Sequence, residues 1–387
     1  IWGCLTPRIT VVRPQIRTHP VNTLHCSVLS NVLYFKQVMN DMVKDNLYPL
    51  TFTPALKDYI WGGRNLEDLY NRQLPANGPI AESWEISGHP NGPAVVDNGP
   101  LAGQPLPEVL ESWGADLVGT RAGWALERNK FPLLVKLLDA EKRLSVQVHP
   151  QDDYALANED GELGKTEMWY ILHAQPGAQL ILGLRPGVTP EAFRQAVAED
   201  QLDRWLHHLP VKAGDAVYVP AGTVHAILEG ILAAEIQQNS DTTYRIYDWG
   251  RLGADGTPRP LHVDKALDVI NFQLIEPGAY EPLLVASEDG ITRQEITRSD
   301  YFVVEKVSLS PGAVYAGHTD GTSLEIWGTV EGSSQLAWAG EPVPLPAIRF
   351  CLVPARRGDF AVRFLEATRS TGAARSTGAA RSSEATP

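Results

Sequence analysis

The chain has 387 residues, with 33 lysines and arginines against 46 aspartates and glutamates. The resulting formal net charge of −13 argues against nucleic acid or an anionic membrane surface as the main partner. The three cysteines, Cys4, Cys26 and Cys351, are odd in number and far apart. No disulfide framework is therefore predicted, and a reducing compartment such as the cytoplasm fits best.

Residues 1–46 form the first segment, and they lack both a clear apolar signal-peptide core and a small-residue cleavage site. Met39 and Met42 lie just before a β-rich stretch that begins near Leu47. We interpret much of this leader as an over-extended translation start, and the alternative is a genuine but poorly ordered extension. We therefore expect residues 1–46 to be disordered and residues 1 to about 41 to be dispensable.

The next stretch predicts strands separated by turns and one helical segment. LTFTPAL and IAESWEISGHP are typical of strands, with a Trp-Gly-Gly turn between them. Residues 106–128 carry Leu110, Trp113 and Leu117 at helical spacing. FPLLVKLLDA, at residues 131–140, predicts a buried strand that enters the centre of the chain.

Two strands predicted within residues 144–172 carry alternating polar side chains. Side chains on a strand alternate faces, so Ser145, Gln147 and His149 share one face while Val146 and Val148 point into the core. Lys165, Glu167 and Trp169 share one face of the second strand in the same way, with Met168 and Tyr170 on the other. Imidazole nitrogen together with carboxylate or amide oxygen suits a divalent metal. The alternative is a pair of half-exposed strands with ordinary polar faces.

The following region predicts helices and then a turn that carries a histidine. Residues 189–209 begin with a Thr N-cap signal and a Pro, and predict one or two helices, with His207 and His208 on the surface near the helix end. In AGDAVYVPAGTVHAIL, at 213–228, a Gly turn is followed by His225. Together with His149 and Glu167 it would form an open metal-ligand set, although a turn histidine bonded to nearby backbone is the alternative.

One long strand, ILAAEIQQNSDTTYRIYDW, is predicted after His225, with Glu235 and Gln237 on one face and Arg245 near its end. Asp248 lies close to Arg245 in the sequence, and a structural salt bridge between the two is the alternative to a role in the site. Residues 261–272 predict a helix, and residues 280–367 predict a second β-rich unit that has no comparable ligand set. The tail from Ser370 repeats STGAAR and is expected to be disordered.

The motifs LSVQVHPQDDYA, GKTEMWYIL, VPAGTVHAI, IQQNSDTTYRIYDWGR, IWGG, ESWEIS and LHVDKALDVI resemble those of type I mannose-6-phosphate isomerases in their short bacterial form. The resemblance covers roughly residues 47–367. It implies a mainly β fold, a double cupin of two β-barrel or jelly-roll units with a helical insertion in the first. The implied boundaries are a catalytic domain at 47–275, a metal-free cupin-like domain at 276–368 and a disordered tail at 369–387.

The resemblance also implies an activity, the interconversion of mannose 6-phosphate and fructose 6-phosphate through a cis-enediolate by a monomer or homodimer. It places one divalent metal, most simply zinc, on four residues, namely Gln147, His149, Glu167 and His225. The catalytic arginine of the family falls on Arg245. Lys165 and Glu235 are then the acid and base candidates, and Ser145, Lys165 and Asp248 are candidates for binding the substrate.

Two other functions stay open from the sequence. A 2-His-1-carboxylate iron oxygenase can also be built on a cupin, and oxygen consumption with iron would identify it. A non-catalytic sugar-phosphate-binding cupin would lack turnover in a coupled isomerase assay. The length of the chain, the second β unit and the pairing of Lys165 with Arg245 disfavour the oxygenase, and the intact ligand set with Arg245 disfavours the non-catalytic protein.

Overall fold

The computed structural model describes residues 8–14, 47–253 and 256–365. Strand is the predominant regular secondary structure of these residues, which confirms the predicted mainly β class, whereas the double-cupin arrangement stays a prediction. The predicted tail at 369–387 lies outside the described residues. Among the described residues, no helix has the length and apolar character that crossing a membrane would require.

Two sheets build the first part of the chain. The strands, in chain order, are β2 Phe52–Thr53, β3 Ala55–Lys57, β4 Glu82–Ser87, β5 Val95–Val96, β6 Leu133–Ala140, β7 Val146–Val148, β8 Glu167–Ala174, β9 Gln179–Leu184, β10 Leu206–Pro210, β11 Ala216–Val219, β12 His225–Ile227, β13 Ile231–Gln238 and β14 Tyr244–Tyr247. A six-stranded sheet has the order β11-β8-β13-β6-β4-β3, and a five-stranded sheet has the order β10-β9-β12-β7-β14. The short strands β2 and β5 pair separately.

Two further sheets build the second part. Their strands are β15 Leu283–Glu288, β16 Ile291–Arg298, β17 Phe302–Leu309, β18 Val314–Thr319, β19 Glu325–Glu331, β20 Ser333–Ala337, β21 Val343–Pro346, β22 Phe350–Val353 and β23 Gly358–Phe364. A four-stranded sheet has the order β18-β23-β20-β21. The other sheet of this part, the second six-stranded sheet of the molecule, has the order β15-β16-β17-β1-β19-β22, where β1 is Arg8–Pro14 from the beginning of the chain.

The position of β1 corrects the expectation of disorder throughout residues 1–46. Arg8–Pro14 pair with β17 along the whole length of the strand and with β19 on the other side. The sequence RITVVRP has four consecutive β-branched residues, which favour a pleated strand. Residues 1–7 and 15–46 lie outside the described part of the chain.

The helices are short, at four to nine residues each. Their bounds are Asn65–Asp68, Leu106–Trp113, Ala115–Val118, Gly123–Leu126, Asp152–Asn158, Pro190–Ala198 and Val263–Val269, with 3₁₀ turns at Gly99–Leu101, Thr120–Ala122 and Leu202–Trp205. The predicted N-cap is confirmed, because the Thr189 hydroxyl accepts a hydrogen bond from the Ala192 N–H at 3.2 Å. His207 and His208, however, lie on β10 rather than at the end of a helix.

Alternation along the strands divides the core into layers. In β8, Trp169 packs between the two sheets of the first part, whereas Met168 and Tyr170 pack on the opposite face. That opposite face joins the large cluster that also contains Phe302 and Leu352 from the second part. The predicted facing of these β8 residues is confirmed, and polar side chains on the inner face therefore meet inside the first pair of sheets.

Candidate metal centre and cavity

Three strands bring four metal-type donors together. Gln147 lies on β7 directly opposite His225 at the start of β12, and Glu167 begins β8 in the other sheet. His149 follows β7, and its carbonyl accepts a hydrogen bond from the Gly222 N–H at 2.9 Å. This bond ties the turn that precedes β12 to the end of β7, so it fixes the separation of the two histidines.

His149, Glu167 and His225 offer ligand atoms that all lie within 4.8 Å of one another, and all three residues are buried. Glu167 Oε1 is 3.3 Å from His225 Nε2, and Glu167 Oε2 is 3.6 Å from His149 Nε2. In the described ranges, this is the one grouping of three potential ligands of these types. The geometry is that of donors converging on one point.

Main-chain carbonyls determine which ring nitrogen carries the hydrogen in both histidines. His149 Nδ1 lies 2.8 Å from the Thr242 carbonyl oxygen, and His225 Nδ1 lies 2.9 Å from the Thr223 carbonyl oxygen. A carbonyl can only accept, so each Nδ1 carries the hydrogen and each Nε2 keeps its lone pair for the centre. Burial and the Lys165 charge lower the pKa of both rings, that of His225 to about 3, so both stay neutral.

The Glu167 carboxylate is incompletely satisfied without a cation. The side chain is fully buried, and Oε1 has no hydrogen-bond partner. Burial raises the pKa of Glu167 to about 8, since a carboxylate in a low-dielectric site is costly to ionise. Two neutral imidazoles and a buried carboxylate with a free oxygen fit a divalent metal such as zinc.

Gln147 is placed to add a fourth ligand after a rotation of its amide. Gln147 Nε2 donates to His225 Nε2 at 3.3 Å, and Gln147 Oε1 lies 3.4 Å from the Ser145 hydroxyl. Exchange of the amide oxygen and nitrogen by rotation about the side chain would direct Oε1 toward the histidine. The amide is thus a weaker donor than the other three.

Lys165 supplies positive charge at the same point. Its Nζ lies 3.1 Å from His149 Nε2 and forms an ion pair with Glu167 Oε2. It also lies 3.6 Å from Glu235 Oε1. The Lys165 ammonium therefore contacts atoms of His149 and Glu167 that would otherwise face a metal ion. It also reaches the Glu235 carboxylate.

A second cluster of charged side chains lies beside the metal-type donors, on the six-stranded sheet of the first part of the chain. Lys136 Nζ lies 3.5 Å from carboxylate oxygens of both Glu82 and Glu235, and 4.6 Å above the Trp84 ring. Burial opposes the charge of Lys136, but the two carboxylates prevail and raise its pKa. Burial likewise opposes the charge of Glu235, and Lys165 with Lys136 prevails, which lowers the Glu235 pKa to about 2.

Lys136 and Glu82 line the cavity beside the donors but were not among the site residues predicted from the sequence. A signal for Lys136 was present, because it is the one charged residue within the apolar run FPLLVKLL. A charge in a strand buried on both faces requires a partner, and that requirement marks a polar interior. Glu82 gave no such signal, since it opens a strand of mixed character.

Arg245 lies on β14, directly opposite Gln147. Its Nε donates to the Ser145 hydroxyl at 3.3 Å, and one terminal nitrogen donates to the Pro260 carbonyl oxygen at 3.1 Å. β14 is separate from β13, which carries Glu235, so the single long strand expected from the sequence is divided in two. Arg245 therefore belongs to the five-stranded sheet and Glu235 to the six-stranded sheet.

Asp248 directly follows β14, the strand that carries Arg245. Its carboxylate accepts hydrogen bonds from the guanidinium groups of Arg251, at 2.5 Å, and Arg259, at 2.6 and 2.8 Å. These two arginines, rather than Arg245, form the ion pairs of Asp248. Asp248 therefore orients Arg259, which reaches the cavity that Asp248 itself does not line.

A cavity of about 410 Å³ adjoins the donor set, and Gln147 is the donor that lines it. One wall comes from the six-stranded sheet and carries Glu82, Lys136 and Glu235; the other comes from the five-stranded sheet and carries Gln147 and Arg245. The remaining lining residues are Tyr59, Trp61, Leu138, Leu144, Ser145, Lys165, Asp241, Thr243, Arg259 and His262. The cavity thus has charges of both signs, and it suits a small, polar, anionic ligand.

A larger cavity, of about 1170 Å³, lies around Tyr48, Trp338 and Arg349. It is lined mainly by apolar residues and prolines and contains none of the metal-type donors described above. Size alone therefore does not select the site, and the convergence of titratable groups does.

The chain matches the family model of phosphomannose isomerase type I, catalytic domain, over residues 50–178. It is 38% identical over 316 residues to the probable mannose-6-phosphate isomerase GmuF of Bacillus subtilis, a match that covers 81% of this chain and 96% of that protein. It is 44% identical over 265 residues to mannose-6-phosphate isomerase ManA of the same organism, covering 68% of this chain and 81% of ManA.

A solved mannose 6-phosphate isomerase structure from B. subtilis superposes with a TM-score of 0.74 at 36% identity. The superposition covers 82% of this chain and 96% of the solved chain. Identity of 36–38% over nearly the whole length of these relatives accompanies agreement in fold, and the family-model match includes Gln147, His149 and Glu167. The chain belongs to the type I phosphomannose isomerase family.

Proposed function

We propose that this protein is a metal-dependent aldose–ketose isomerase that interconverts mannose 6-phosphate and fructose 6-phosphate. The observation that carries the proposal is the buried His149–Glu167–His225 donor set, which Lys165 contacts from a cavity that Lys165 and Arg245 both line. Membership of the type I family supplies the substrate, since the relatives are named for it.

Gln147, His149, Glu167 and His225 would hold one divalent metal, and zinc suits this mixed nitrogen and oxygen set. When bound, the metal supplies Lewis-acid stabilisation of negative charge that develops on substrate oxygen. The chain itself fixes both imidazole rings through Thr242 and Thr223. This prior orientation saves reorganisation when the substrate enters.

The reaction moves a proton between C1 and C2 of the sugar through a cis-enediolate, so it needs groups that accept and return that proton. Lys165 and Glu235 are the pair we assign, because Lys165 Nζ and Glu235 Oε1 lie 3.6 Å apart beside the donors. Trp169 Nε1 donates to Glu235 Oε1 at 3.0 Å and holds the carboxylate in place. Lys136 keeps that carboxylate ionised.

The substrate phosphate is assigned to the part of the cavity formed by the segment after β14. Arg259 lines the cavity and is held by Asp248, and His262 lies beside it. Burial, with the charge of Arg245, lowers the pKa of His262, and its Nδ1 accepts from the Arg245 backbone N–H at 3.2 Å. His262 is thus a neutral donor through Nε2, and Arg259 is a cation, which together suit a phosphate.

Arg245 lies between this phosphate position and the donor set, because it faces Gln147 across the strand pair. We assign its guanidinium to the oxyanion that develops on the sugar, and Ser145 to holding the guanidinium in place. Arginine is a poor base, so Arg245 does not take the proton. Asp248, expected to bind substrate, acts on Arg259 instead in this proposal.

The compartment and the assembly are also proposals. A reducing cytoplasm fits the buried free thiol of Cys351. Burial raises the pKa of that thiol, which keeps it protonated and unreactive. We propose a monomer or homodimer, since the described cavity is complete within one chain.

A coupled assay on metal-stripped and zinc-reloaded protein tests the function. Fructose 6-phosphate formed from mannose 6-phosphate is followed through a coupling enzyme that reduces a nicotinamide cofactor. Chelation should abolish turnover, and zinc should restore it with about one ion bound per chain. Mannose without its phosphate serves as the control substrate and should react far more slowly. Absence of turnover by metal-replete, folded protein would refute the assignment.

A further inference from the structure

The second six-stranded sheet contains one strand from the opposite end of the described chain. β1 is antiparallel to both of its neighbours, with Val12 opposite Val304 of β17 and Ile326 of β19. The pairing with β17 runs without interruption from Arg8 to Pro14. An added central strand of this kind is unusual, because strands that pair are mostly close in sequence.

Each of β17 and β19 depends on β1 for main-chain partners along one of its two edges. Neighbouring strands lie about 4.8 Å apart, so removal of β1 leaves β17 and β19 separated by roughly 10 Å. Across that gap their N–H and C=O groups cannot bond to each other, and buried backbone groups without partners are costly. The two strands therefore form the walls of a groove that fits one extended segment.

The side chains of β1 fill both faces of the sheet. Val11, only 1% exposed, packs into the cluster between the two sheets of the second part, beside Trp327 and Leu345. Val12, only 2% exposed, points the other way and joins the large cluster that reaches the first part. A strand buried on both faces needs consecutive apolar residues, which β1 supplies.

Charge complementarity fixes the register. Arg13 donates through Nε to Glu325 of β19 at 2.8 Å and lies 3.3 Å from Glu305 of β17. Glu325 also accepts from Trp327 Nε1, and Glu305 also pairs with Arg293. Without Arg13 the buried Glu325 carboxylate would lose its cationic partner among the described residues, and proteins avoid a buried charge without a partner.

We propose that the groove between β17 and β19 is a strand-accepting site and that its occupant is Arg8–Pro14 of the same molecule. Val12, Ile326, Leu352 and Leu50 form one row across neighbouring strands. Three strand spacings, about 14 Å, thus separate Val12 from Leu50. Residues 15–46 have ample length to close that distance within one chain.

A cross-link in the intact chain tests the register. Thr10→Cys with Lys306→Cys, in a background of Cys4→Ser and Cys26→Ser, should form a disulfide on mild oxidation, because Thr10 faces Lys306 directly. Thr10→Cys with Gln294→Cys is the control, since Gln294 lies one strand beyond Lys306 and out of reach. A cross-link in the control alone, or one that joins two chains, would overturn the assignment to the same molecule.

Removal of the strand tests its contribution. Contrary to the expectation from the sequence that residues 1 to about 41 are dispensable, a chain that starts at Met42 should melt about 10 °C or more below the full chain, since it loses two buried valines and both strand pairings. Added peptide of residues 8–14 should recover part of that loss, and the same peptide with Val11→Asp should not. Equal melting temperatures of the two chains would refute the proposal.

A point substitution covers the case in which the shortened chain fails to fold. Val11→Asp in the full chain should lower the melting temperature strongly, because it places a carboxylate in the cluster of the second part. Val314→Asp is the matched control, since Val314 lies on β18 of the same unit and is 52% exposed. Similar, small effects of the two substitutions would contradict an inserted β1.

Discussion

His149 and His225 each use Nδ1 for a main-chain carbonyl and leave Nε2 for the centre. The two bonds orient the rings before any ion binds, so the ligand geometry belongs to the fold. Gln147 differs, because its amide must first rotate and then offers a neutral oxygen. The four residues are therefore not equivalent, and their substitutions should weaken metal binding to different extents.

We expect His149→Ala to weaken metal binding by more than roughly 100-fold, since loss of outer partners alone costs about 10–100-fold. Gln147→Ala should have a smaller effect. His208→Ala is the control, because His208 pairs with Asp203 near the surface, away from the donors. Metal content and isomerase activity should both fall in His149→Ala. Full occupancy in that variant would exclude His149 as a ligand.

Arg245→Lys should lower kcat and kcat/KM together by roughly 10²-fold and leave KM near that of the parent. The reason is that lysine keeps the charge but loses the planar pair of donors that an oxyanion requires. Metal content should not change. A raised KM with unaltered kcat would instead place the phosphate on Arg245, and normal kinetics in Arg245→Ala as well would remove it from the site.

Alternation of polar and apolar residues made much of the site predictable. Ser145 lies beside Gln147 and Lys165 beside Glu167, as the alternation predicts, although Ser145 and Lys165 precede β7 and β8 rather than lying on them. Lys136 was not recognised, since its partners Glu82 and Glu235 come from other strands. The local sequence pattern shows which face of a strand a side chain lies on, whereas its contact partners depend on the order of the strands in the sheet.

The turn at Gly222 links two of the ligand-bearing elements. Gly222 has a φ of +89°, its N–H binds the His149 carbonyl, and its own carbonyl accepts from the Asn271 N–H at 2.8 Å. A Cβ at this position would lie 3.0 Å from the Val269 carbonyl oxygen. The Pro-x-Gly-x-x-His pattern therefore requires glycine for both the backbone conformation and the space.

Gly222→Ala should destabilise the protein by more than the roughly 1–2 kcal/mol expected for a left-handed backbone, and it should weaken metal binding. Gly103→Ala is the matched control. Gly103 has a φ of +93°, and an added Cβ there meets nothing within 4 Å. Equal loss of stability, measured by chemical denaturation, and unchanged metal affinity in both variants would show that the turn does not position His225.

Helix and strand assignments from sequence succeeded where the signal was local. Thr189 with Pro190 identified a helix start, because capping depends on only a few neighbouring residues. His207 and His208 were assigned to a helix end, yet they pair with β9 as part of β10. Strand pairing with a distant segment overrode the local pattern there.

In the whole molecule, the metal donors connect two sheets. Gln147 and His225 come from the five-stranded sheet, and Glu167 comes from the six-stranded sheet. An ion held by all of them would fasten the sheets to each other, as well as serve the reaction. Without it, the Glu167 and Glu235 carboxylates depend on Lys165 and Lys136 for compensation of their charge.

Metal removal should therefore lower the melting temperature as well as activity. A ligand at 100 times its Kd stabilises the folded state by about 2.7 kcal/mol. Thermal melts with and without chelator, followed by zinc addition, measure this difference. His149→Ala serves as the control, and its melting temperature should respond little to chelator. A parent protein that melts at the same temperature with and without metal would contradict the connection between sheets.

The pairing of β1 was beyond the reach of the sequence pattern. RITVVRP predicts a strand by composition, but nothing near it indicates that its partners are β17 and β19. The family resemblance also starts near Leu47, so it offered no template for the earlier segment. Contacts between residues this far apart are specified only by the completed sheet, through Val11, Val12 and Arg13.

The central position of β1 has a consequence for the order of events during synthesis. β1 precedes its partner β19 by roughly 300 residues, and ribosomes add about 5–20 residues per second. The segment therefore waits on the order of 15–60 s before its binding groove exists. During that interval a β-branched strand with free edges is exposed to other nascent chains, so the yield of folded protein should depend on how fast the chain is translated and on chaperones that cover its beginning.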